Sequence, residues 1–72
     1  MKDYHINIFY SARDKGYIAD IPDLLMCSAF GKTPAKALKE VETAKTAWLA
    51  AAKVQGKKAP RPQYRPAIYQ VT

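Results

Sequence analysis

Polar and apolar residues alternate near both ends of the chain and switch to a longer period in the middle. In YHINIFY, Tyr4, Ile6, Ile8 and Tyr10 interleave with His5, Asn7 and Phe9. A period of two in a segment rich in β-branched and aromatic residues predicts a strand. SARDKG supplies a polar turn ending in Gly16, and YIADI (Tyr17 to Ile21) resumes the alternation. Pro22 and Asp23 interrupt it, because proline has no amide to give a ladder. LLMCSAF (Leu24 to Phe30) reads as a third short strand. Three strands with short connections predict an antiparallel meander.

The period changes at Thr33. Ala37, Leu38, Val41, Ala44, Trp48, Ala51 and Ala52 share one stripe at helical spacing, with Lys36, Lys39, Glu40, Thr43 and Lys53 mostly opposite. Thr33 suits an N-cap, Pro34 the first helical position and Gly56 a C-terminal cap. Pro60, Pro62 and Pro66 make the next stretch extended, and AIYQV (Ala67 to Val71) alternates again as a final short strand. The order is βββαβ: an α+β domain with a three-stranded meander, one helix across one face and a short C-terminal strand.

The stretch AFGKTPAKAL contains Gly31, Lys32 and Thr33, the ending of a nucleotide-binding phosphate loop. Such a loop also needs a glycine five residues before the second one, and Met26 stands there. Pro34 removes an amide that a phosphate would use. The triplet predicts a helix start.

Length adds a constraint. With 72 residues the chain is expected to make a single domain spanning 1–72, without a separate C-terminal DNA-binding domain. A core this small is thin and calls for a further staple. Cys27 is the only cysteine and His5 the only histidine, which excludes an internal disulfide and a clustered Cys/His metal site. Oligomerisation remains, so a homodimer or tetramer is expected. MKDYHINIFY has no signal-peptide character, and no segment reaches the roughly 20 apolar residues of a membrane span. A cytoplasmic protein with no membrane partner is expected.

The net charge of +6 is lopsided. Residues 1–42 balance six cations against six acids, whereas Lys45, Lys53, Lys57, Lys58, Arg61 and Arg65 face no acid in residues 43–72. Lys53, Lys57, Lys58, Arg61 and Arg65 form a candidate nucleic-acid-binding segment, with Tyr64 and Tyr69 available to stack on bases. A solubilising face that also suits a helix C-terminus accounts for the same charges.

Catalytic chemistry finds little support. Asp20 and Asp23 flank a proline turn and could bind magnesium or move protons, yet no His, Cys or third acid supports them. Aspartate is also a common turn residue that bonds to local backbone. His5 has no visible partner, Cys27 lies among apolar neighbours that leave a thiol unactivated, and Trp48 belongs to the helix stripe. No enzyme and no cofactor are expected.

One resemblance organises these features. Ile21-Pro22-Asp23-Leu24, then Cys27, Ser28, Gly31 and Thr33, an alanine-rich helix with Ala37, Leu38, Trp48 and Leu49, and finally Gly56 and Pro60-Arg61-Pro62 resemble the N-terminal domain of HicB antitoxins. The match covers residues 4 to about 62. It implies a partly degraded RNase H-like βββαβ fold without nuclease activity, since the first strand lacks a central carboxylate. It also implies a type II toxin–antitoxin role: binding a small, basic, mRNA-cleaving HicA-type toxin and covering its RNA-binding surface. Asp20, Asp23, Leu25 and Met26 are the candidate partner-binding residues. The family often has Pro-Gly at positions 25 and 26, and an acid where Lys36 stands. The alternatives are a nucleic-acid-binding module and a solitary HicB-like protein without a toxin.

Overall fold

The computed structural model describes residues 3–65, with strands β1 (Asn7–Ser11), β2 (Gly16–Asp20) and β3 (Ser28–Gly31) followed by helix α1 (Pro34–Val54). The sheet order is β1-β2-β3 and both pairings are antiparallel. This is the expected α+β meander with its helix. The expected strand at Ala67 to Val71 lies outside the described residues.

Register divides the strands into two faces. Ile8, Ala19 and Ala29 stand in one row, and Phe9, Ile18 and Phe30 stand in the next. Directly paired residues share a face, so the two rows point to opposite sides of the sheet. The first row lies on the helix side, where Ala19 has no exposure. The second faces away from the helix.

Helix α1 starts where the capping residues place it. Thr33 has extended backbone angles, and its Oγ1 accepts a 3.1 Å hydrogen bond from the Lys36 amide, with Pro34 next in line. The Gly-Lys-Thr triplet is therefore a strand end and a helix cap. Its glycine serves packing: a Cβ on Gly31 would lie 2.3 Å from the backbone nitrogen of Ala37. At the other end the Gly56 amide donates to Lys53 O and the Lys57 amide to Ala52 O, with Gly56 at φ +73°. Those bonds close a Schellman cap, in which glycine takes the left-handed position at no steric cost.

Two sequence expectations need correction. The third strand begins at Ser28, four residues later than expected from Leu24. Pro22 opens a tight loop in which Leu24 N donates to Ile21 O, Cys27 N to Leu24 O and Ile21 N to Cys27 O, at 2.9–3.0 Å. Ile21, Leu24 and Cys27 are all buried, a spacing of three that belongs to turns and not to strands. On the helix, Ala37, Val41 and Ala52 are buried and Ala44, Trp48 and Leu49 half-buried, while Leu38 and Ala51 face solvent. Leu49, outside the expected stripe, packs against the core while those two do not.

The core is thin. Ile21, Leu24 and Val41 are its largest fully buried side chains, and alanines at 19, 37 and 52 fill much of the rest. Leu24→Ala should therefore cost about 2–5 kcal/mol. Gly31→Ala, which drives a methyl into helix backbone, should cost at least the ~1–3 kcal/mol of ordinary overpacking. Gly56→Ala meets open space and should lose only the left-handed penalty of about 1–2 kcal/mol. Urea denaturation midpoints at constant m-value check this ranking.

Candidate docking loop

The loop between β2 and β3 projects two large apolar side chains into water. Leu25 is 78% exposed and Met26 is 91% exposed. The loop that carries them is rigid, for three reasons. Its three internal backbone hydrogen bonds close a compact turn. Leu24 and Cys27, on either side of the exposed pair, are anchored in the core. From α1, the Trp48 indole Nε1 donates a 2.9 Å hydrogen bond to Leu25 O. Trp48 is thus half core residue and half clamp, its ring packed against the core and its indole N–H bonded to the loop.

Met26 also has a positive φ of +60°. That left-handed conformation costs a residue with a Cβ roughly 1–2 kcal/mol. Strain at an exposed position that contributes no burial is the kind found at functional sites.

The four residues assigned to partner binding do not form one cluster. Asp20, Leu25 and Met26 line a shallow depression with Pro22 and Ser28. Asp23 turns elsewhere. Its carboxylate accepts the amides of Gln63 and Tyr64, at 3.0–3.1 Å, some forty residues along the chain. The expected local turn bond is replaced by a long-range latch. Nothing short-range in the sequence signals this; a proline-rich segment without regular secondary structure shows only that its amides need acceptors from elsewhere.

The latch positions the basic segment. Tyr4 Oη donates to Pro60 O at 2.5 Å, and the Tyr64 ring packs on His5 with centroids 4.7 Å apart. His5 Nε2 also meets Asn7 Oδ1 at 2.7 Å. Residues 57–65 therefore run back across the start of the chain as a strap. Tyr64 uses its ring on His5, and Tyr69 lies outside the described residues. The five basic candidates separate into two groups. Lys53, Lys57 and Lys58 gather with Leu49, Gly56 and Ala59 around the helix C-terminus, while Arg61 and Arg65 lie on the strap. The negative helix end accounts for Lys53.

Among the described residues no group of three or more His, Cys, Asp or Glu is placed to hold a metal ion. Burial raises the pKa of the Cys27 thiol, opposed weakly by the Lys45 charge. The thiol is thus held protonated. Asp3 moves the other way: hydrogen bonds from Lys45 Nζ, at 3.0 Å, and from the Tyr4 amide lower its pKa. No helix among the described residues is long and apolar enough to cross a membrane. No family model, curated protein or solved structure matches the chain.

Two outcomes are expected. Asp23→Ala should speed exchange of the Gln63 and Tyr64 amides by one to two orders of magnitude, since a hydrogen bond to a charged group contributes about 1.5–3 kcal/mol. Amide hydrogen exchange followed residue by residue reads this directly. Cys27 should resist a thiol reagent at pH 8 in the native protein and react at once in urea. Because its folded pKa is raised, the stability it contributes should be full below the ordinary thiol range and fall as pH rises through it.

Proposed function

We propose that this chain is a HicB-type antitoxin domain, a non-enzymatic protein that acts in the cytoplasm by binding a small mRNA-cleaving toxin of the HicA type. The observation that carries this reading is Met26: nearly fully exposed, in a left-handed backbone, beside exposed Leu25 on a rigid loop. The residue pattern Ile21-Pro22-Asp23-Leu24, Cys27, Ser28, Gly31 and Thr33 supports the family, and the meander followed by a capped helix fits the fold the family implies.

The mechanism is occlusion. An apolar pair on a loop that is already ordered docks with little entropy left to lose, and exposed apolar anchors supply most of the affinity at such contacts. Asp20, in the same depression, meets a basic toxin surface with opposite charge. Part of the chain's cationic excess, Arg61 and Arg65 on the strap, is held to the same loop by Asp23, so Asp20 and the apolar pair carry the contact. Once docked, the antitoxin keeps RNA from the toxin by its bulk.

A second reading rests on Lys53, Lys57 and Lys58 sharing one surface at the helix end. As a nucleic-acid module, the protein would bind RNA or DNA with a log–log salt slope of about −0.7 to −0.9 per phosphate contacted. Titrations that show no binding at low salt remove it.

Co-expression with the product of a neighbouring small reading frame tests the leading proposal. Growth rescue and co-purification are expected, and failure of both removes the toxin partnership. Met26→Gly should leave stability unchanged or raise it by up to ~1 kcal/mol by relieving the positive φ. Leu25→Asp should shift stability within about 0.5 kcal/mol, as exposed substitutions do. Both should weaken the complex at least tenfold, measured by calorimetry.

A further inference from the structure

We propose that Phe30, Lys32 and Lys36 form a site for single-stranded nucleic acid, with a base stacked on the Phe30 ring and phosphates against the two lysines. The site lies where β3 ends and α1 begins, at the opposite end of β3 from the docking loop. A recess of about 320 Å³ there is lined by Phe30, Gly31, Lys32, Thr33, Lys36 and Glu40. That volume is at the lower end of the range for ligand pockets.

Phe30 belongs to the row that faces away from the helix and remains 39% exposed. Its position is nevertheless fixed. A Cβ on Gly16 would lie 2.4 Å from the tip of the Phe30 ring, so the ring fills the space above that glycine. An ordered, part-exposed ring offers a base a stacking surface at little cost in entropy. The Lys32 ammonium stands 5.7 Å from the ring centroid, beside any base placed there. Phe9, in the same row across Ile18 and 51% exposed, supplies a second ring two strands away, about 10 Å between backbones. These side chains leave the plane of the sheet, so a strand paired at an edge would not cover them.

The charges select the occupant. Lys32 and Lys36 are exposed, and Glu40 is the sole acid lining the recess. The turn from β1 to β2, at the same end of the sheet, adds Arg13 and Lys15. Its acid, Asp14, is bonded to Ser11 Oγ at 2.8 Å. The helix amides are not the anchor, since Pro34 has none and Thr33 Oγ1 takes that of Lys36. An aromatic wall beside cations fits a flat ring joined to an anion, the repeating unit of a nucleic acid. A duplex does not fit, because its bases are already stacked on one another. This site is separate from the lysines at the helix C-terminus: Lys36 and Lys53 stand about 25 Å apart along α1.

Fluorescence anisotropy of the full chain with a labelled single strand of about eight nucleotides, as RNA and as DNA, tests the site. Saturable binding of either is expected at low salt, at least tenfold tighter than that of a duplex of equal length. Phe30→Leu keeps an apolar group above Gly16, so the far-UV circular dichroism should not change while binding weakens at least fivefold. Lys32→Ala combined with Lys36→Ala should flatten the log–log salt slope by about 1.4, as two lost phosphate contacts require. No toxin enters the measurement, so its result is independent of the docking loop. Absence of binding overturns the proposal, and so does equal affinity for the duplex. Wild-type affinity in Phe30→Leu overturns it as well, as does binding that is lost only when Lys53, Lys57 and Lys58 are replaced.

Discussion

The approach of the helix to the sheet at Gly31 and Ala37 governs the rest of this structure. A Cβ at residue 31 would meet helix backbone, so strand and helix are as close as a glycine permits. Alanine at 19, 29 and 37 keeps that distance short along the interface. Close approach favours dispersion, since each atom gains near neighbours, but it leaves little volume for large side chains. The core is consequently thin, and Thr33 must fix the helix start accurately. A slip of one residue would rotate Val41 and Ala52 away from the sheet.

The same placement explains what lies outside the core. A helix centred over β3 and β2 brings Trp48 within reach of the loop at Leu25, and it cannot also shield β1. The ordered loop and the slight contact between helix and β1 both follow from that placement.

Local chemistry made much of this legible. Period-two and period-3.6 patterns located β1, β2 and α1, and Thr33, Pro34 and Gly56 marked the helix ends because caps satisfy backbone groups within a few residues. The third strand was misread from Leu24 because Leu-Leu-Met-Cys is apolar throughout and carries no period. Only the burial of Ile21, Leu24 and Cys27 at spacing three distinguishes a turn there from a strand. The latch was illegible for a different reason. Asp23 and the amides of Gln63 and Tyr64 are brought together by the whole fold, and no window of sequence contains both. Of the four candidate residues, Leu25 and Met26 turn out exposed, which a strand assignment did not anticipate, whereas Asp23 is taken up by the strap.

Strain at Met26 and order in the loop belong together. A left-handed methionine would relax if its neighbours were free to move, so its persistence requires that Leu24, Cys27 and the Trp48 clamp overdetermine the turn. Those three anchors are all set by the helix–sheet packing. An exposed side chain is therefore held in a costly backbone conformation by the most buried part of the molecule. Rigidity of that kind adds little to folding, because Met26 buries almost nothing. A loop held in this way has little conformational entropy left to lose.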